Sequence, residues 1–190
     1  MADKIQDGTG TGNMARVNSN NKLDVSARVN DRIYYASRND AKAFIIQFEL
    51  TQATGGTTEG VGYFTYNGTE QINIKQFALT SEEPSGMTLF GIWKNPTTLS
   101  GGIASTPVNL NFTSNNTISH TSMENGDGTL LTISGGNSLY TFRMSGINTK
   151  IVEFYDAIIM STNDTIAIKG YAASTGTKVR VNMMFAESVD

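Results

Sequence analysis

The 190-residue chain contains no cysteine, so neither a disulfide nor a thiolate metal site can hold it together. A single histidine, His120, means that every serine–histidine or histidine–metal scheme must pass through one residue. Only 16% of residues are charged and the formal net charge is −3, which leaves no basic excess to hold nucleic acid. No apolar run approaches membrane-spanning length, and Met1-Ala-Asp-Lys-Ile-Gln-Asp-Gly8 lacks the apolar core of a signal peptide. The expectations are therefore no nucleic-acid partner, no membrane partner, and synthesis in the cytoplasm. What is abundant is glycine, 19 residues, together with Thr, Asn, Ser, Ile and Val. Such a composition favours pleated strands joined by turns over helices. A chain of this length can also bury a core large enough to fold without staples.

Two regions differ. Residues 1–42 carry seven Lys/Arg against five Asp/Glu, whereas 43–190 carry seven against twelve, so the balance is +2 and −5. The opening Asp7-Gly-Thr-Gly-Thr-Gly12 has little side chain to bury and much backbone freedom to lose. The polar run after Arg16-Val17 reads as a turn between two short extended pieces. Residues 1–42 are thus expected to form an extended N-terminal attachment arm that becomes ordered against a partner. Its spaced cations Arg16, Lys22, Arg28, Arg32 and Arg38 are the candidate partner-binding residues. An alternative places 25–35 in the body as its first strand.

Residues 43–190 alternate strand and turn. Candidate strands lie at 43–50 (where a short helix also fits), 61–66, 72–79, 87–93, 108–112, 130–133, 139–144, 151–160, 165–171 and 179–185. Val179, Val181 and Met183 alternate with Arg180 and Asn182, and Val108, Leu110 and Phe112 alternate with Asn109 and Asn111. Tyr140, Phe142 and Met144 share one face, a core pattern. Asn67-Gly68 predicts a two-residue hairpin. Ile72 and Ile74 have the opposite phase to Phe77 and Leu79, which requires an extra residue, a β-bulge, near Lys75-Gln76. About ten strands at this spacing predict an all-β, antiparallel β-sandwich or jelly roll. Its open edges predict self-association, with a homotrimer the expected closed form.

Few residues suggest chemistry. The glycine-rich start has neither the flanking strand and helix of a dinucleotide fingerprint nor the Lys-Ser/Thr end of a phosphate loop. His120 lies in a polar stretch and reads as a solvated loop residue. Glu124-Asn-Gly-Asp-Gly128 offers two carboxylates, short of the six to eight oxygens calcium takes, and reads as a turn. Glu82, Glu83, Glu153 and Asp156 supply carboxylates, but nothing sets two of them across a glycosidase cleft. Tyr63, Tyr66, Trp93, Tyr140 and Tyr155 are candidate sugar-stacking aromatics. The expectation is a non-enzyme without a cofactor.

Several segments resemble one family. Asp7-Gly-Thr-Gly-Thr-Gly-Asn-Met-Ala-Arg-Val-Asn-Ser-Asn-Asn-Lys-Leu23 resembles the opening of tailed-bacteriophage virion proteins of the head-decoration or head-fibre type. Ile92-Trp-Lys-Asn-Pro-Thr-Thr98, Val108-Asn-Leu-Asn-Phe-Thr-Ser-Asn-Asn116 and the closing pair 159–168 and 179–185 are similar to strand and turn segments of the same proteins. The resemblance implies a capsid decoration protein, located in the virion, whose partners are the major capsid protein or other virion proteins. It supplies no catalytic residues. The alternative function is a carbohydrate- or receptor-binding module of a tail or fibre.

Overall fold

A computed structural model describes residues 4–6, 14–17, 23–24, 42–126 and 129–187, with backbone alone at 4–6, 14–17, 23–24, 155 and 156. Met1–Asp31 and Arg32–Asp190 form two compact units. In the first, β1 (Lys4–Gln6), β2 (Met14–Val17) and β3 (Leu23–Asp24) make an antiparallel sheet in that order. The pieces expected on either side of a polar turn, β2 and β3, pair with each other.

In the second unit the chain runs through β4 (Ala43–Thr51), β5 (Thr58–Tyr66), β6 (Ile72–Ser81) and β7 (Met87–Lys94). Short strands follow: β8 (Thr98–Ser100), β9 (Ile103–Ala104), β10 (Val108–Asn109), β11 (His120–Glu124) and β12 (Thr132–Ser134). Four long ones close it: β13 (Asn137–Ser145), β14 (Asn148–Met160), β15 (Thr165–Ala172) and β16 (Lys178–Glu187). They form a five-stranded sheet, β10-β4-β16-β6-β14, and a six-stranded sheet, β13-β7-β15-β5-β11-β9. Every pairing is antiparallel, and the two sheets pack as a sandwich around one main core. The all-β sandwich expected from composition and alternation is the observed fold.

The long strands pair in a nested order: β4 with β16, β5 with β15, β6 with β14 and β7 with β13. One antiparallel ribbon, rolled so that successive strands fall in alternate sheets, gives this jelly-roll order. Residues 95–136 occupy the tip of the ribbon and carry β8 to β12. Nesting overturns the expected hairpin at Asn67-Gly68. The preceding β5 lies between β15 and β11, and the following β6 lies between β16 and β14 in the other sheet. The turn residues are there, but the chain uses them to cross between layers.

Alternation explains the core. Phe44, Ile46, Phe48 and Leu50 of β4 and Val179, Val181 and Met183 of β16 are all buried, while Gln47, Glu49 and Arg180 between them are not. The expected bulge is present. Gln76 faces Met184 and Ile74 faces Phe185, so Lys75 is the extra residue in β6. It lets Ile72 and Ile74 before it, and Phe77 and Leu79 after it, all reach the core. Gly62 has no side chain because the Phe48 ring occupies that space; a Cβ there would lie 2.3 Å from the ring. A smaller apolar cluster forms on the outer face of the six-stranded sheet. There Leu99 of β8 and Ile133 of β12 pack with Leu131 over Tyr63, Trp93 and Ala167.

Two expected strands are corrected. The strand 108–112 stops at Asn109, and Phe112 is 89% exposed. Asn109 Oδ1 accepts the Asn111 N–H at 2.8 Å, and Asn111 Oδ1 accepts that of Thr113 at 3.1 Å. Such side-chain turns compete with the ladder for the same backbone groups. The strand expected at 130–133 forms at Thr132–Ser134, with Leu130 exposed.

Candidate interaction surfaces

Of the five arm cations, the described residues include only Arg16, placed in β2 opposite Lys4 of β1 and Asp24 of β3. Lys22, Arg28, Arg32 and Arg38 lie outside the described residues, as do the glycine-rich start and the alternative strand at 25–35.

The carboxylates of the body are largely spent on structure. Glu83 is fully buried between β6 and β7. Its carboxylate accepts hydrogen bonds from the Ser174 N–H (2.9 Å) and hydroxyl (2.8 Å), the Thr177 hydroxyl (3.0 Å) and the Gly86 N–H (3.1 Å). Burial alone would raise its pKa; these donors outweigh it and hold the group down at about 2. Buried Gln52 works at the loops beside it. Its amide donates to the carbonyls of Thr54 and Thr57 and to Glu59, and its Oε1 accepts the Ala172 N–H at 3.1 Å. Glu82 pairs with Arg180 at 2.7 Å, and Arg180 also bonds Glu49, whose carboxyl it holds below the ordinary carboxylate range. Glu124 accepts the Glu49 N–H at 2.8 Å, and burial pushes its pKa up. Asp127 and Gly128 of the expected turn lie outside the described residues. No group of three or more His, Asp or Glu side chains among the described residues is placed to hold a metal.

His120 is a correction. It opens β11 instead of sitting in a solvated loop, is half-buried, and stacks on Phe64 with ring centres 5.8 Å apart and planes 7° apart. Its Nδ1 lies 2.9 Å from the Ile118 carbonyl oxygen. The polar sequence around it hides a single aromatic contact across the sheet. The aromatics also sort themselves. Tyr66 is buried and donates its hydroxyl to Glu187 at 3.0 Å, Tyr63 is buried in the outer cluster, and the Lys169 ammonium covers Trp93 at 4.1 Å. Tyr140 is 42% exposed, not core, and rests against Phe142 and Phe154. Phe142 is half-buried and Met144 buried, so the expected face is right but opens outward at its Tyr140 end.

The two sides of the sandwich are unlike. On one, the sheets end in two-residue strands, β10 and β9, and side chains cap the neighbouring edge: the Ser105 hydroxyl donates to the Gln47 carbonyl at 2.9 Å, beside the Glu124–Glu49 bond. On the other, the sheets end in β13 and β14, nine and thirteen residues long. Leu139, Tyr140, Ile147 and Ile151, all exposed, lie along this side.

No protein-family model matches the chain, and no curated protein matches it. Among solved structures, the chain is similar to the crystal structure of the infectious bursal disease virus VP2 subviral particle. The likeness has a TM-score of 0.21 and 15% identity, over 78% of this chain and 42% of that one. The chain thus spans less than half of that protein, and a likeness of this size carries no argument about function.

Proposed function

We propose that the chain is a structural virion protein of a tailed phage, a capsid decoration or auxiliary protein. In this reading residues 1–42 attach to the major capsid protein or another virion protein, and 43–190 are displayed outside as a self-associating, homotrimeric jelly roll. The resemblance at 7–23 supports it. So does the observation that carries most weight: the buried polar side chains of the body, Glu83 and Gln52 foremost, are consumed in pinning loops. A body so built suits a rigid displayed module that does no chemistry. The carbohydrate-binding alternative loses support because Tyr63 and Tyr66 are buried and Trp93 is capped, leaving Tyr140 as the exposed aromatic among the described candidates. Counting copies of the protein in purified particles by mass spectrometry tests the reading. Decoration requires on the order of hundreds of copies in a closed symmetric shell; a handful would place the protein on a tail or fibre instead.

A further inference from the structure

We infer that the β13–β14 side of the jelly roll is the interface between copies of this chain, joined head to tail with β13 of one copy against β14 of the next. The inference deepens the homotrimer of the proposed function by naming the surface that makes it.

Each of these strands ends its sheet, so each presents a row of main-chain N–H and C=O groups that no described strand meets. A long open edge is a template for another strand, and proteins that must stay single blunt it with short strands, charges or capping side chains. The opposite side of this sandwich uses short strands and capping side chains; this side ends in long strands instead. In sequence β13 carries one charged residue, Arg143, and β14 three, Lys150, Glu153 and Asp156; the Lys150 ammonium lies 5.6 Å from the centre of the Phe142 ring. Ile147 is 74% exposed and Ile151 60%.

The edges themselves define the occupant. An antiparallel partner must offer an open strand long enough to follow the edge, and the chain supplies two, of nine and thirteen residues. Only Gly146 and Ile147 separate β13 from β14, so the two strands run in opposite directions along one side. Rotating a copy about an axis along that side therefore sets β13 of one molecule antiparallel to β14 of its neighbour. The contact is heterologous, and repeating it closes a ring. At about 3.4 Å per residue β13 makes the side about 30 Å long, and two layers about 10 Å apart make it about 20 Å deep with their side chains. In the ring each copy turns its β13 layer to one neighbour and its β14 layer to the other, so closing the trimer buries on the order of 600 Å² per copy, about 1,800 Å² over the three.

The test is sedimentation of the full chain and of Ile151→Lys and Ile147→Lys, each checked for an unchanged β-type circular dichroism spectrum and a cooperative melt. Hydrogen exchange of the unaltered protein is measured alongside at high and low concentration. The inference expects a trimer that weakens at least tenfold in each variant, and edge amides of 137–153 that gain protection as concentration rises. A wild-type trimer unchanged by both variants, or protection confined elsewhere, overturns the interface and leaves the homotrimer standing. A wild-type monomer at high micromolar concentration overturns both. If a variant does not fold, the exchange pattern of the unaltered protein alone decides.

Discussion

At the scale of single residues, Glu83 shows how a polar residue can be wholly structural. Next to Glu82 and before Pro84 it reads in sequence as one of two acidic turn residues. Nothing local reveals that its donors come from Ser174 and Thr177, some ninety residues away. Its depressed pKa fixes the sign of a pH effect. The carboxylate is bound more favourably in the folded chain than in the unfolded one, so its contribution is present above its ordinary 4.5 and is lost as pH falls through about 2. Glu83→Gln should lower the melting temperature at pH 7. It should also flatten the dependence of melting temperature on pH between 4.5 and 2, as followed by circular dichroism. A variant with the same acid limb as the parent would show that these donors do not hold the charge. His120 has the same lesson in reverse: its stacking partner Phe64 is remote in sequence, so a polar neighbourhood misreads it as solvated.

At the scale of elements, legibility follows the range of the cause. Alternation is local and was sufficient for β16. The phase change in β6 is local too, and it alone locates the bulge at Lys75. By contrast, the register partner of each strand is set by the rolling of the whole ribbon, and turn chemistry at Asn67-Gly68 cannot tell a hairpin from a crossing between sheets. Alternation also failed at 108–112, where asparagine side chains satisfied the backbone before a neighbouring strand could. The bulge gives a direct prediction. Deleting Lys75 forces either Ile72 and Ile74 or Phe77 and Leu79 out of the core. Each such side chain is worth about 2–5 kcal/mol by large-to-small substitution, against a total stability of about 5–15 kcal/mol. The deletion should abolish the cooperative melt, while Lys75→Ala should retain it. A deletion variant with a native-like melt would mean that β6 tolerates a register slip, and that the bulge is not what sets both faces.

At the scale of the whole molecule, the nested pairing joins residues as far apart as Ala43 and Ala186, so the body closes on itself. In the proposed reading the long open side meets copies of the chain and residues 1–42 make the attachment. An arm that orders on binding loses about 1–2 kcal/mol per backbone residue fixed, so one arm holds weakly. Three arms on one trimer gain through effective concentration, about 10²–10⁴-fold in avidity. The most direct measurement of this account is binding of a truncated chain, beginning at Ala43, to particles stripped of the native protein. The truncated chain should keep its β-type circular dichroism and cooperative melt, yet leave the particles bare where the full chain decorates them. Decoration by the truncated chain at the full-length level would place attachment on the jelly roll and contradict the account, and failure of the truncated chain to fold would make the arm part of the core.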